Sequence, residues 1–524
     1  MPQNRTSKAN SAKVKCSSAL YAVALVLIIL LGVFLAYLFY YGPSTANVSD
    51  NFLYADYAHQ IYVGHAGSLP SNDVLAQQYL LLAGIAAFYA AFGVASPFTA
   101  SLFGVLCFAL TIAIIYKIGA LLYGRGAGLV SALVYSFNPV AVINASYVGD
   151  NGPMALFASA CVLFLILGMQ EKRVARSGTY FLLSGFSAMI GVLVTVQSAE
   201  ILVFVAPFAL FYAIREKSTA SLLNIGLFAL GIAIAVACTA LVEFSIGNPP
   251  LLVFSLNYNA YSAGAGHTPQ IGNYTRWLFP ANPASQLNPA QAAYSSGMSS
   301  GLYGYAALLG AVYLLFRRNF RFFVPAFWSV STLLYMGYGS LSLLDYVPIS
   351  YSRVRFMLIF IPALALIIGF SLLDMAEILR KNRLKILGLL LPGLIVIALF
   401  INSAGIIQFV GLSQYKHTYQ LSQTGSFLLG LPADVPVYGN IEPLDVYAHY
   451  KPNFVESEYD FFPPFYFGSN CSMLAVPNAS VAKICGLREA FASSQPPAYL
   501  DAYRLFDNDS FRIYENITVY YKAA

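Results

Sequence analysis

Tyr79-Leu-Leu-Leu-Ala-Gly-Ile-Ala-Ala-Phe-Tyr-Ala-Ala-Phe-Gly93 is an almost unbroken apolar stretch, and whether it crosses a bilayer decides the side on which every later segment lies. At 1.5 Å per residue its length falls short of the ~20 residues that a spanning helix needs. Longer apolar runs surround it, at about 18–41, 98–116, 127–145, 153–170, 179–197, 198–214, 221–243, 300–316, 322–341, 356–374 and 386–402. Cytoplasmic loops of membrane proteins carry an excess of Lys and Arg. With 79–93 left out of the count, eighteen basic residues, from Arg5 to Lys385, fall on the side of the N-terminus. Only Arg276, Arg353 and Arg355 fall opposite, apart from the C-terminal region. Counting 79–93 as a span moves Lys117 and Arg125 to the wrong side and breaks the alternation. The stretch is therefore expected to be a juxtamembrane or re-entrant helix, with the N-terminus cytoplasmic and the C-terminus outside.

The composition agrees. Of 524 residues 58% are hydrophobic and 10% are charged, against ~25% charged in a soluble domain. The net charge of +6 is dispersed in short clusters between apolar runs, a pattern of membrane loops rather than of a nucleic-acid groove. The expected fold class is an all-α polytopic membrane protein of about eleven spans with a small α/β extracytoplasmic C-terminal domain. Its parts are a cytoplasmic tail over 1–17, a membrane domain over 18–415 with external loops 42–97 and 244–300, and the C-terminal domain over 416–524. In that domain Val435–Gly439 reads as a strand and Glu442–Tyr450 as a short helix. Tyr503–Phe506 and Phe511–Tyr514 read as a hairpin turning at Asp507–Ser510. Seven of eight Asn-x-Ser/Thr sequons (Asn47, Asn144, Asn273, Asn470, Asn478, Asn508, Asn516) fall outside and Asn4 inside. Cys471 and Cys485 are the two cysteines of the external domain, where an oxidising compartment permits a disulfide. Closing that loop would contribute about 3 kcal/mol. Cys16, Cys107, Cys161 and Cys238 lie in or beside spans and read as packing residues.

Residues able to do chemistry concentrate in the loops opposite the basic clusters. The first long loop carries Asp50, Asp56, His59, His65 and Asp73, with Tyr54, Tyr57 and Tyr62 interleaved. Tyr54, Tyr57 and Ile61 recur at helical spacing, which makes Asp50 either a helix cap or a general base. Asp150, in the short loop Tyr147-Val-Gly-Asp-Asn-Gly-Pro153, has the same two readings. Arg276, Arg353 and Arg355 stand where the charge bias disfavours cations; a guanidinium fork suits phosphate oxygens, and snorkelling to headgroups is the alternative. Glu200, in Gln197-Ser-Ala-Glu200 between two spans, is a further polar outlier. No Cys/His spacing fits zinc and no phosphate-binding loop is present. An external site without a nucleotide fold requires an activated donor already in the bilayer.

Asp50 followed by Tyr54 and Ala58, Asp150 before an apolar helix, and Arg355-Phe-x-Leu-x-x-x-Pro-Ala-Leu-Ala-Leu366 resemble the C-type membrane glycosyltransferases over about 45–370. The resemblance is greatest to the family 39 branch of polyprenyl-phosphate-sugar-dependent protein mannosyltransferases and aminoarabinose transferases. It implies an inverting glycosyltransferase whose partners are membrane lipids, a polyprenyl-phosphate-sugar donor and a protein or glycan acceptor, with no nucleic acid. It implies Asp50 as general base and Asp150 as orienting the acceptor. Either acid, or both, would hold a divalent cation, Mg or Mn. Arg355 matches the position that binds the lipid phosphate; Arg353 and Arg276 join it from loop chemistry, and Tyr54, His59 and Glu200 are expected to contact substrate. The chain departs from the pattern at Asn51, where the family carries an acid, and at Thr195-Val196, where it carries Thr-Lys. The entry to 79–93 also lacks the family's His-Pro-Pro-Leu-like segment, with Asp73-Val-Leu nearby. Asp150-Asn-Gly and Val354-Arg-Phe-Met-Leu are also similar to the oligosaccharyltransferase catalytic subunit. Its Trp-Trp-Asp motif is missing, because the two tryptophans, Trp277 and Trp328, precede the C-terminal domain. A multi-pass transporter or flippase is the alternative of another class, and it predicts inverted repeats and mid-membrane charges.

Overall fold

The computed structural model describes residues 4–38, 48–256 except 72 and 217, 271–279, 300–340 except 319, 354–408 except 383, 385 and 389, and four short strands within 472–522. The helices in chain order are α1 (Asn4–Leu38), α2 (Val48–Tyr62), α3 (Tyr79–Phe92), α4 (Pro97–Tyr123), α5 (Arg125–Ser136), α6 (Pro139–Ala145), α7 (Asn151–Gln170) and α8 (Val174–Val194). They continue as α9 (Leu202–Glu216), α10 (Thr219–Ser245), α11 (Ile271–Leu278), α12 (Tyr303–Phe316), α13 (Phe323–Tyr338), α14 (Ile361–Lys381) and α15 (Ile386–Gln408). Two 3-10 segments, Val196–Ile201 and Val354–Ile359, lead into α9 and α14.

Each of the eleven expected spans corresponds to a helix or a broken helix. Eight among the described residues are long and apolar enough to cross a bilayer, and a bent pair makes a ninth. α12 and α13 are shorter, at 14 and 16 residues. The expected continuous span over 127–145 is corrected: α5 and α6 meet at 64°. The cause is local. Pro139 sits at the first position of α6, and the Asn138 side chain accepts from the Ala141 N–H at 3.1 Å, which starts a new helix there. α3 is the short, 14-residue helix expected of 79–93. The expected tail over 1–17 is helical from Asn4 and continuous with the first span.

α7, α8 and α10 pack side by side, α4 lies against α5 and α7, and α14 lies against α5. Gly185 and Gly231 allow α8 and α10 to touch backbone to backbone: a Cβ on either would collide with the Phe228 or Leu182 carbonyl. Most of α1, α10 and α15 faces away from the protein, presenting residues such as Leu27, Phe34, Leu230, Leu241, Leu394 and Ile401. These are lipid-facing surfaces, because a bilayer leaves apolar side chains at no disadvantage on the outside.

The two ends of the bundle differ. One carries Arg125, Lys172, Arg173, Arg176, Arg215, Arg317, Arg380 and Lys381. There Asp374 accepts from the Tyr313 hydroxyl at 2.9 Å and lies 3.9 Å from Arg317 Nε. The other end carries α2, α3, the start of α7 and both 3-10 segments. In the C-terminal region β1 (Ser472–Val476) pairs antiparallel with β2 (Ser480–Ile484), Ser472 opposite Ile484. β3 (Tyr503–Leu505) pairs with β4 (Tyr520–Lys522), so its partner is not the expected 511–514. The expected strand at 435–439, the helix at 442–450, and Cys471 and Cys485 lie outside the described residues.

Candidate active site

At the end away from the basic clusters, α2 and α3 form a small apolar unit of their own around Phe52, Ala55, Leu81, Leu82, Ile85 and Tyr89. Polar side chains fasten the chain between them. The Tyr54 hydroxyl donates to Gln78 Oε1 at 3.0 Å, and the Tyr57 hydroxyl donates to Asp73 Oδ2 at 2.6 Å. Asp73 also accepts from the Leu75 N–H at 2.8 Å. The Tyr79 hydroxyl donates to Gln77 and accepts from Asn248 Nδ2 at 2.8 Å, which ties α3 to the turn after α10. That turn is held by Glu243, fully buried, whose carboxylate accepts the Leu251 and Val253 N–H groups. Leu251 has φ +65°, a left-handed conformation that a branched side chain seldom adopts, and the Glu243 contact to its amide holds it there.

Beside this frame four segments meet: the start of α2, the loop into α7 and the two 3-10 segments. α7 packs on both 3-10 segments, and these pack on each other. Gly149 marks the first junction: a Cβ there would stand in van der Waals contact with the Tyr54 ring at 3.6 Å and with Asn51 Oδ1 at 3.7 Å. Asp150 is 4% exposed and sits at the capping position of α7, yet its side chain makes no capping hydrogen bond. The capping reading of Asp150 is thereby corrected. Asp50 stands third in α2, inside the helix rather than before it, which corrects its capping reading too; its side chain lies outside the described residues.

Glu200 is 3% exposed in the Val196–Ile201 segment, and its Oε2 has no hydrogen-bond partner. It lies within electrostatic range of Tyr335 on α13. Arg355 opens the Val354–Ile359 segment, partly exposed, with its guanidinium carbon 5.7 Å from the centre of the Phe356 ring. Asn51 and Asn151 are each 2% exposed, and neither Asn51 Nδ2 nor either polar atom of the Asn151 amide has a partner. Such orphaned groups call for an explanation, a bound ligand or water among them, and Ser131, Ser159, Asn224 and Trp328 elsewhere in the bundle carry them too.

Residues 79–242 match the model of the dolichyl-phosphate-mannose-protein mannosyltransferase family. That stretch runs from α3 into α10 and contains Asp150 and Glu200. Among solved structures, ArnT from Cupriavidus metallidurans bound to undecaprenyl phosphate superposes with TM-score 0.53 at 11% identity, covering 84% of this chain and 86% of ArnT. The chain thus shares the fold of ArnT, and its 79–242 segment resembles the mannosyltransferase family. The archaeal oligosaccharyltransferase AglB from Archaeoglobus fulgidus, in complex with an inhibitory peptide and a dolichol-phosphate, superposes with TM-score 0.51 at 13% identity. This chain covers 62% of AglB's length, and 85% of its own length is aligned. No curated protein matches the sequence.

The residues singled out in the sequence separate into groups. Asp150, Glu200 and Arg355 are carried on segments that pack together, with the first turn of α2 beside them. Tyr54 is buried, with its hydroxyl engaged by Gln78. His59 is half-buried on α2, 6.1 Å from the Tyr62 ring. Burial holds its imidazole below the usual pKa, and the neighbouring charge of His65 adds to the shift. Arg276 is on the exposed face of α11, whose Tyr274 and Leu278 point inward. Arg353 lies outside the described residues.

Among the described residues no three His, Cys, Asp or Glu side chains converge as a metal site. Asn144, counted among the sequons, is 1% exposed, with its amide donating to the Val140 carbonyl at 2.8 Å, so that sequon is closed to modification. Sequence reasoning noted Asn51 as a departure from the family pattern and Asn151 within Asp150-Asn-Gly, but singled out neither as a buried amide without partners. Their signal was adjacency to the two acids, and only burial shows that the amides lack partners.

Proposed function

We propose that the protein transfers a sugar from a polyprenyl-phosphate-linked donor to a hydroxyl of a protein or glycan acceptor, on the face opposite the basic clusters. The observation that carries this reading is that the segments bearing Asp150, Glu200 and Arg355 pack together, with the loop before Asp150 against the start of α2, at the end of the bundle poorest in Lys and Arg. The charge bias makes that end extracytoplasmic, with the N-terminus in the cytoplasm and the C-terminal region outside. The lipid phosphates bound to ArnT and AglB support a donor of the same kind.

The acceptor oxygen attacks the anomeric carbon while the carbon–oxygen bond to phosphate breaks, and the phosphate departs with the electron pair. Asp50 takes the acceptor proton. Arg355 meets the charge that develops on the phosphate, an interaction strongest in the transition state and hence catalytic. A single displacement inverts the anomeric configuration. Asp150 orients the acceptor. Asp50 and Asp150 are also the pair that would hold a divalent cation, which would supply further charge neutralisation when bound.

The test is release of labelled sugar from polyprenyl-phosphate mannose, glucose and aminoarabinose by the protein in outward-accessible membranes, with Asp50→Asn alongside. Release by the wild type, cut about a hundredfold or more in the variant, is the expected result. No release from any donor returns the weight to a transporter, and a trapped glycosyl-enzyme adduct refutes the single displacement.

A further inference from the structure

Asn51 and Asn151 have no part in the reaction as written, yet both are buried polar groups with unused hydrogen-bonding capacity. Asn51 follows Asp50 on α2; Asn151 follows Asp150 and is the first residue of α7. Asn51 lies against the loop that leads to Asn151: its Oδ1 is 3.7 Å from the position a Cβ on Gly149, two residues before Asn151, would take. Each residue is 2% exposed, and three of their four amide heteroatoms have no partner. A buried amide in that condition costs free energy in the empty protein, so the arrangement is made good only when a ligand fills it.

The chemistry of the unpartnered atoms limits what that ligand is. Asn51 offers one free amide atom, a donor as placed, and Asn151 offers one donor group and one acceptor whichever way it is turned. A bare phosphate accepts only, so it leaves the Asn151 oxygen unmatched. A metal ion takes that oxygen and leaves the NH2 groups unmatched. A polyol both donates and accepts at every hydroxyl. We infer that Asn51 and Asn151 bind hydroxyl groups of the transferred sugar and help to determine which sugar is accepted. The inference rests on the glycosyl-transfer reading above and assigns two residues to it.

The experiment uses the full chain in nanodiscs, with Asn51→Leu and Asn151→Leu as variants of similar size that lack hydrogen-bonding groups. Three probes are titrated: undecaprenyl phosphate, undecaprenyl-phosphate mannose and undecaprenyl-phosphate glucose. The wild type is expected to bind one sugar-bearing lipid more tightly than the bare lipid phosphate. Each Leu variant is expected to lose about tenfold in affinity for that lipid and to bind undecaprenyl phosphate unchanged. Each is also expected to raise the Tm of the ligand-free protein, since it removes a buried amide that no protein group satisfies. A lower Tm in the ligand-free protein overturns the inference, because the amides would then be satisfied within the fold. Equal losses for bare and sugar-bearing lipid overturn it as well.

Failure of the donor reading looks different: the wild type binds none of the three lipids. The same variants are then titrated with methyl mannoside and methyl glucoside. Weakened binding upholds the inference, and binding that is absent or unchanged ends it.

Discussion

Two polar regions share one end of this molecule and treat their hydrogen bonds in opposite ways. Between α2 and α3, Tyr54, Tyr57, Asp73, Gln77, Gln78, Tyr79 and Asn248 are bonded to one another, and Glu243 closes the turn beside them. A few residues away, around the start of α7 and the two 3-10 segments, Asn51, Asn151, Ser198 and Glu200 are as deeply buried yet keep atoms without partners. The first region is a frame. The second, on the reading proposed above, is where the sugar is bound. Burial alone does not separate them; satisfaction of the buried groups does.

Changes in the two regions should therefore fail differently. The largest effect is expected at Arg355→Ala, with kcat/KM for sugar release down about a hundredfold from loss of one charge-stabilising donor and Tm little altered. A large fall in Tm with intact turnover would move Arg355 into the frame. Glu243→Ala should do the reverse. It leaves two backbone N–H groups of the Leu251–Val253 turn unbonded, at about 1–3 kcal/mol for each buried one, and thermal or denaturant unfolding reads that loss. Donor affinity of the protein that remains folded should be near wild type; a selective loss of affinity would extend the site to this turn.

The smallest effect concerns pH. Burial, and then the charge of His65, place the His59 pKa below the ordinary 6.5. As pH falls from neutrality through 6.5 the unfolded chain takes up the proton first, so it binds more protons than the folded one. Stability is then lost, and the loss is complete below the folded pKa. His59→Gln should flatten that dependence. Because the ring is half exposed, the amplitude is expected to be modest. An unchanged profile would show that the stability of α2 does not depend on this proton.

Much of the fold was legible in the sequence because a bilayer imposes a length rule and a charge rule. Both act on short windows of chain, and α4, α7, α8, α10 and α14 fall close to where the apolar runs predicted them. The 64° break at Asn138-Pro139 was less legible, since hydropathy averages over a proline that the local backbone cannot ignore. In the site, Asp150, Glu200 and Arg355 stood out as polar residues at the borders of apolar runs. Tyr54 stood out equally, but its hydroxyl is engaged by Gln78, a residue 24 positions away that no periodicity connects to it. The hairpin expected at 503–514 failed for the same reason: strand propensity is local, while the pairing of Tyr503 with Lys522 is not.

The sequence by itself determined that the chain lives in a membrane, where most of its long apolar helices run and which end of the bundle is poor in positive charge. Those properties follow from composition counted along the chain. Only the tertiary structure decided which buried polar groups hold the frame together and which are left to meet a ligand. Hydrogen-bond satisfaction is a relation between residues far apart in sequence, such as Asn248 with Tyr79, or Asn51 with Gly149. It exists only once packing has removed water from both partners.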